Sequence, residues 1–153
     1  MKYIEAPDEY EGGGAAVFLA GGITAAENWQ ARLAEALSPL NAVVLNPRRR
    51  AFPADNPTAA RVQIEWEYRH LQRASLVAFW FPPPTLCPIA LFELGACCSA
   101  STPLVVGADD QYARRYDLHV QLHLRRPEVE LVDSLGELVA QIVAHPALYG
   151  SVR

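Results

Sequence analysis

The sequence lacks any long hydrophobic run, carries no excess of basic charge and contains only three cysteines. No stretch approaches the roughly 18 consecutive apolar residues of a membrane span. The N-terminal residues are acidic, whereas a secretory signal begins with basic and then apolar residues. A formal net charge of -4 gives no positive footprint for nucleic acid or an anionic membrane. We therefore expect a cytoplasmic protein that binds neither nucleic acid nor membrane.

The cysteines and histidines form no pattern typical of cross-links or metal sites. An odd number of cysteines, with Cys97 and Cys98 adjacent, does not suit a disulfide framework, so we expect small buried apolar side chains. The histidines offer only the i, i+4 pair His119 and His123, without an intervening glutamate. The sequence therefore implies no metal and no organic cofactor.

Short apolar runs alternate with helical segments along most of the chain. Five runs have the length and composition of buried strands: Ala15–Ala20, Asn41–Leu45, Leu76–Phe81, Pro103–Val106 and Val129–Val132. This alternation predicts a flavodoxin-like three-layer α/β/α fold with a five-stranded parallel sheet in the order 2-1-3-4-5. Residues 1–14, which end in three glycines, are predicted to be a flexible arm before a single domain over residues 15–153.

Helix starts are predicted from capping patterns. Thr24 with Glu27, and Ser134 with Glu137, have the spacing of capping boxes. The helix that begins at Pro57 and Thr58 is expected to turn four apolar side chains inward, namely Val62, Ile64, Tyr68 and Leu71.

One carboxylate stands out because it lies inside an otherwise apolar helix. Glu93 has no charge partner nearby in the sequence, and burial of a lone acid raises its pKa unless it reaches a cleft. In the predicted strand order, the loops that follow the first and third strands meet across one crevice. These loops carry Gly21 with Gly22, and Thr85 to Glu93, so we interpret Glu93 as a candidate nucleophile. The glycines either shape an anion site or allow close packing of helix on sheet.

Four segments together resemble the nucleoside 2-deoxyribosyltransferase family, in particular its bacterial deoxyribosyltransferase-like branch. They are FLAGGITAAENWQ (Phe18–Gln30), NPRR (Asn46–Arg49), QIEWEYRHL (Gln63–Leu71) and FWFPPPTLCPIALFELG (Phe79–Gly95). The resemblance implies an enzyme that cleaves the N-glycosidic bond of a nucleoside through a covalent glycosyl-glutamate and transfers the sugar to another base. Glu93 matches the family's nucleophile, and a carboxylate suits the oxocarbenium-like transition state. The resemblance also implies a homo-oligomer.

Further site residues follow from the resemblance and from the crevice. Glu67 is expected to hold sugar hydroxyls or the base, unless it serves as a surface ion-pair partner. The other predicted substrate-binding residues are Gly21, Gly22, Ile23, Asn28, Trp29, Pro47, Arg48, Trp80 and Phe81. Packing within the core is the alternative for the aromatic rings of Trp29, Trp80 and Phe81. Arg48 or Arg49 is a further candidate for holding a 5′-phosphate.

One departure from the better-known transferases leaves alternatives open. No acidic residue lies between Phe81 and Phe92, where those enzymes carry a carboxylate before the nucleophile helix. A hydrolase of a nucleoside or nucleotide, with the same nucleophile, is therefore the first alternative. A non-catalytic nucleotide-binding module is the second.

Overall fold

A six-stranded parallel sheet forms the middle layer of the computed structural model, which describes residues 1–53 and 55–149. The strands are β1 (Lys2–Glu5), β2 (Ala16–Gly21), β3 (Val43–Asn46), β4 (Leu76–Phe81), β5 (Leu104–Ala108) and β6 (Leu131–Val132). Their order is β1-β3-β2-β4-β5-β6, and every neighbouring pair is parallel. All residues of β4 are buried, as expected for a central strand covered on both faces.

Helices cover both faces of the sheet and complete a three-layer α/β fold. They are α1 (Trp29–Ala36), α2 (Ala59–Arg73), α3 (Pro88–Ser99), α4 (Arg115–Arg125) and α5 (Leu135–Ala144), followed by a 3₁₀ turn (Pro146–Leu148). On one face, Leu19 packs with side chains of α1 and α5. On the other face, its neighbour Phe18 packs with side chains of α2, α3 and α4. This alternation follows from the two-residue period of a strand.

The predicted order of five strands recurs as β3-β2-β4-β5-β6, but the predicted number of strands is wrong. β1 adds a sixth strand at the edge, in register with β3 from Lys2 opposite Val43 to Glu5 opposite Asn46. Only Ile4 of β1 is fully buried. An edge strand with one buried side chain has no continuous apolar run, which is why its sequence resembles a polar leader.

The prediction of a flexible arm over residues 1–14 is wrong for the segment that follows β1. The indole Nε1 of Trp66 donates a hydrogen bond to the carbonyl oxygen of Asp8 at 2.8 Å. The backbone N–H of Tyr10 donates to Nε2 of His70 at 3.0 Å. Both partners belong to α2, about 60 residues along the chain, so no local pattern reveals these contacts.

The two predicted capping boxes have different outcomes. At α5 the box is confirmed, because the Glu137 backbone N–H donates to Oγ of Ser134 at 3.2 Å. At α1 the Thr24 box is absent, because α1 begins five residues later with Asn28 as its cap. The side-chain oxygen of Asn28 accepts from the backbone N–H of Ala31 at 3.2 Å, which satisfies a free donor of the first turn.

The inner face of α2 also differs from the prediction. Ile64 and Tyr68 are 64% and 67% exposed, whereas Trp66 and His70 are fully buried. The buried face is built around an indole and an imidazole that stack with ring centroids 4.0 Å apart. Of the four side chains predicted to face inward, Leu71 packs against the core, whereas Val62, Ile64 and Tyr68 are exposed. None of the described helices combines the length and the apolar character needed to cross a membrane.

Candidate active site

The loops that follow β2 and β4 touch at the carboxyl ends of these central strands. Gly21 has φ +148°, and a Cβ atom on it would lie 2.0 Å from the carbonyl oxygen of Trp80. A Cβ atom on Gly22 would lie 2.7 Å from Cγ of Pro82 and 2.8 Å from Sγ of Cys87. Only glycine fits at either position without movement of its neighbours. The two loops therefore meet at the switch point of the strand order, as predicted.

Trp29 holds this glycine turn from the side of α1. Its side chain is 2% exposed, and Nε1 donates to the carbonyl oxygen of Gly22 at 2.7 Å. The indole thus lies between helix and sheet, which corresponds to the packing alternative. Ile23, just beyond the turn, is partly exposed, and Asn28 is exposed at the start of α1.

Trp80 and Phe81 end β4 with their rings on opposite faces of the sheet. Trp80 is 5% exposed and lies against Gly107, where a Cβ atom would be 2.7 Å from the indole ring. Phe81 is fully buried, with its ring centroid 6.2 Å from that of Phe79 and 5.3 Å from that of Tyr112. Phe81 is thus enclosed by protein, which corresponds to core packing. Trp80 is largely buried as well, but together with Trp29 and Pro82 it lines a cleft of about 580 Å³ at this end of the sheet.

Arg48 reaches back onto the loop between β2 and α1. Its Nη1 donates to the carbonyl oxygen of Glu27 at 2.7 Å and to Oε1 of Gln30 at 3.3 Å, and its Nη2 donates to the carbonyl oxygen of Ala26 at 3.0 Å. Most of the fixed donor fork of the guanidinium is therefore engaged. Nε of Arg49 likewise donates to a backbone carbonyl, in the N-terminal segment, at 3.3 Å. These arginines connect loops of the fold.

Glu93 lies in the middle of α3. This helix starts at Pro88, a residue type favoured at the first helical position, directly after Cys87 in a left-handed conformation. The side chain of Glu93 is partly buried. Burial raises the pKa of Glu93 to about 7, and the negative charge of Glu67 adds to this shift. The carboxyl group therefore keeps its proton at pH values at which an exposed glutamate is ionised.

Glu67 lies beside Glu93, on the neighbouring helix α2, and is also partly buried. Burial raises the pKa of Glu67, and a hydrogen bond from Gln63 opposes this rise. Nε2 of Gln63 donates to Oε1 of Glu67 at 2.7 Å and to the carbonyl oxygen of Pro47 at 2.7 Å. Three predicted site residues, Pro47, Glu67 and Glu93, are thus connected across β3, α2 and α3.

The surface ion pair considered for α2 is made by a different glutamate. Nε of Arg61 contacts Oε1 of Glu65 at 2.7 Å, and both side chains are exposed. This i, i+4 pair is the solvated face predicted for Glu65. Glu67 instead takes its hydrogen bond from a neutral amide on the same helix.

The thiols around Glu93 are not nucleophiles at neutral pH. Burial raises the pKa of Cys87 and of Cys97 to about 11, so both thiols stay protonated. Within the described residues, no three His, Cys, Asp or Glu side chains come together in a group that could hold a metal ion.

Glu93 faces α2, whereas the other side of α3 borders a groove of about 600 Å³ between α3 and α4. Leu94, Gly95 and Cys98 line this groove from α3, and Arg114 and Arg125 line it from the side of α4. The groove and the carboxyl pair thus occupy opposite sides of the same helix.

Gln63 is the one contributor to this arrangement that sequence reasoning missed. It stands four residues before Glu67, a spacing that places both side chains on the same helical face, where a glutamine amide reaches a carboxylate. The i, i+4 spacing of Gln63 and Glu67 is therefore the feature of the sequence that predicts this contact.

A pair of partly buried carboxyl groups on adjacent helices can divide two tasks between them. The ionised member is a nucleophile toward an electrophilic carbon, and the protonated member gives a proton to a leaving group. The pKa of Glu93, raised to about 7, means that the pair carries a proton up to neutral pH. The arrangement is therefore suited to breaking a bond to a basic leaving group.

Residues 14–112, more than half of the chain, match a protein family described as nucleoside 2-deoxyribosyltransferase like. Among solved structures, the chain is similar to a conserved protein from Enterococcus faecalis V583, with 15% identity and a TM-score of 0.62. That similarity covers 86% of this chain and 98% of the other chain. At this identity it demonstrates a shared fold. No curated protein matches the chain.

Proposed function

Because the chain belongs to the nucleoside 2-deoxyribosyltransferase-like family, we propose that it cleaves the N-glycosidic bond of a 2′-deoxynucleoside and transfers the sugar to another base. One observation carries this proposal. Glu93 lies beside a second carboxyl group, Glu67, in an environment that raises the pKa of Glu93 to about 7. A carboxylate in such a place is a nucleophile for C1′ of a sugar.

The first step forms a covalent glycosyl-enzyme. An oxygen of ionised Glu93 bonds to C1′ as the C1′–N bond breaks, and the electron pair of that bond leaves with the base. In the reactive form the single proton of the carboxyl pair lies on Glu67 and not on Glu93, and the departing base takes up this proton. The positive charge that develops at C1′ is stabilised by the Glu93 carboxylate before the ester forms.

The second step reverses these roles with a new base. A nitrogen of the incoming base bonds to C1′, the C1′–O bond of the ester breaks, and its electron pair returns to Glu93. The proton displaced from the incoming base goes to Glu67. Two displacements at one carbon retain the configuration at C1′.

We assign to Glu67 the proton transfer for which the loop before α3 supplies no acid. The loop between β4 and α3 carries no carboxylate from Pro82 to Cys87. Glu67 comes instead from α2, and its raised pKa suits it to hold and release a proton. The hydroxyls of the sugar or the base itself are its proposed contacts.

A 5′-phosphate, if the substrate is a nucleotide, is a ligand for Arg49 and not for Arg48. Three hydrogen bonds to the loop before α1 and to Gln30 already engage Arg48, whereas Nη1 of Arg49 has no partner within the described residues. A hydrolase is the second candidate. The side chain of Glu93 is only partly buried, so water can reach the ester in place of a base.

A second copy of the chain is the proposed partner of the outer faces of α2 and α3. Ile64 and Tyr68 on α2 are 64% and 67% exposed, and Ile89 and Phe92 on α3 are 65% and 77% exposed. Four large apolar side chains on adjacent helices favour a covered surface over a solvated one. This is the basis for proposing a homo-oligomer.

The decisive experiment incubates the purified protein with 2′-deoxyadenosine, with and without a free acceptor base, and separates the products by chromatography. New deoxynucleoside in the presence of the acceptor supports the transferase. Free adenine without exchange supports the hydrolase. If neither product forms with any nucleoside or nucleotide, both enzymatic proposals are overturned and the nucleotide-binding module becomes the leading proposal.

A further inference from the structure

The side chain of Gln63 is held in one orientation by two acceptors. Nε2 lies 2.7 Å from the carbonyl oxygen of Pro47 and 2.7 Å from Oε1 of Glu67. A carbonyl oxygen only accepts hydrogen bonds, so the amide nitrogen, and not the amide oxygen, must face Pro47. Both N–H groups of the amide are thereby assigned, one to each acceptor.

This orientation leaves the amide oxygen of Gln63 without a hydrogen bond in the part of the chain that the structure describes. Oε1 is buried, and no hydrogen-bond partner for it lies within the described residues. A buried acceptor without a partner is unfavourable. The two acceptors, the Pro47 carbonyl oxygen and Oε1 of Glu67, together hold the nitrogen in place although the amide oxygen stays without a partner among the described residues.

The contact distinguishes the two oxygens of the Glu67 carboxyl group. Oε1 accepts from Gln63, and it can do so whether the carboxyl group is ionised or protonated. The proton is then taken up and released at the other oxygen, Oε2. The same amide also connects Glu67 to the loop between β3 and α2 through Pro47.

We propose that Gln63 is a positioning residue for the reaction: it holds Oε1 of Glu67 against the Pro47 loop and so reserves Oε2 of Glu67 for proton transfer. This inference rests on the proposed function, since it assigns a task within the same carboxyl pair. A side chain with free rotation about its terminal bonds would present either oxygen in many directions. Misplacement by about 1 Å is enough to reduce a catalytic rate by roughly 10²-fold.

The test compares Gln63→Met, which keeps the length of the side chain and removes the donor, with Arg61→Met. Arg61 lies on the same helix, and its pair with Glu65 is exposed, so Arg61→Met controls for loss of a polar side chain on α2. Base release from 2′-deoxyadenosine is measured for each, together with thermal unfolding. We expect kcat to fall about 10²-fold in Gln63→Met, with little change in KM. Arg61→Met is expected to keep the wild-type rate.

A second measurement separates positioning from a purely structural role and does not depend on turnover. Carbon-13 NMR of side-chain carboxyl groups follows the titration of Glu67 and Glu93 in each variant. Loss of the N–H donor is expected to raise the pKa of Glu67 in Gln63→Met and leave it unchanged in Arg61→Met. If Gln63→Met does not fold, Gln63→Leu serves in its place, because it also removes the donor and adds no charge beside Glu67.

Wild-type kcat in Gln63→Met, or an unaltered titration of Glu67, would overturn the positioning role while leaving the proposed reaction intact. If the wild-type protein releases no base from any nucleoside, the reaction fails and the positioning role fails with it. An altered titration of Glu67 in that case would show that the hydrogen bond exists and that only the function was misassigned.

Discussion

Glu67 and Glu93 lie on neighbouring helices, and the charge on Glu67 makes Glu93 harder to ionise. Substitution of Glu93 by Gln keeps the size of the side chain and removes the nucleophile. We expect Glu93→Gln to lower base release by at least about 10³-fold while the circular dichroism spectrum stays unchanged. Glu65→Gln, on the exposed side of α2, is the matched control and should keep full activity. Undiminished turnover by Glu93→Gln would exclude the covalent mechanism.

The pKa of Glu93, raised to about 7, also predicts how the rate depends on pH. The reactive pair carries one proton, on Glu67, and the pair loses this proton above about pH 7, so kcat/KM should fall about tenfold per unit as the pH rises above about 7. Glu67→Gln removes the proton donor, so this alkaline limb should disappear and the maximal rate should be lower. Initial rates between pH 5 and pH 9 test both expectations. A wild-type rate that stays constant from pH 7 to pH 9 would contradict a role for this proton.

The same raised pKa makes a prediction for stability. Between pH 4.5 and pH 7 the folded chain binds more protons at Glu93 than the unfolded chain does, so this residue lowers the free energy of unfolding as the pH rises. Glu93→Gln removes this effect. The free energy of unfolding of the variant, taken relative to that of wild type, should therefore be higher at pH 8 than at pH 5 by roughly 1–3 kcal/mol. Urea denaturation at the two pH values measures this gain, and a constant difference would contradict it.

Among the structural elements, the turn after β2 depends on close contact between loops. Gly22→Ala would place a methyl group within 2.8 Å of Pro82 and Cys87, and we expect a loss of about 1–3 kcal/mol in the free energy of unfolding. Gly95→Ala on α3 is the control, because its Cβ atom would meet nothing within 4 Å. There the higher helix propensity of alanine should stabilise the chain by about 1 kcal/mol. Chemical denaturation of both variants decides whether the contact, and not the loss of a glycine, matters.

The N-terminal segment is a second element whose order depends on distant partners. Nε2 of His70 accepts from the backbone N–H of Tyr10, and Nδ1 lies 2.8 Å from the carbonyl oxygen of Trp66. His70→Ala leaves the backbone N–H of Tyr10 without its acceptor and opens a cavity. We expect a loss of about 2–4 kcal/mol and faster proteolysis before residue 14. His119→Ala, at an exposed position on α4, should change stability by less than about 0.5 kcal/mol.

For the whole molecule, the question is what covers the outer faces of α2 and α3. If a second copy does so, a charge at Phe92 should dissociate the assembly, because a buried unpaired carboxylate is costly. We expect Phe92→Asp to sediment as a monomer and the wild-type chain to sediment as a larger species. Leu124→Asp, at a position on α4 that is 71% exposed, is the comparison. A wild-type monomer at high micromolar concentration would overturn the proposed oligomer.

The sequence by itself determined the sheet from β2 to β6 and the place of the nucleophile candidate. Continuous apolar runs mark strands that are buried on both faces, and their alternation with helices restricts the strand order. An acid such as Glu93 in an apolar helix is conspicuous without any structure, because the cost of burying a charge does not depend on which fold buries it. The meeting of the two loops at Gly22 followed from the strand order alone.

Only the tertiary structure decided which groups surround that acid and how the chain begins. Gln63 and Pro47 are 16 residues apart, and Tyr10 and His70 are 60 apart, so neither contact leaves a local pattern in the sequence. β1 is an edge strand with one buried side chain and therefore carries no apolar run. The buried face of α2 also lacks an aliphatic pattern in the sequence, because it is built around the stacked rings of Trp66 and His70. Packing between distant segments decides such features, because the hydrophobic effect has no direction and hydrogen bonds form wherever the fold brings donor and acceptor together.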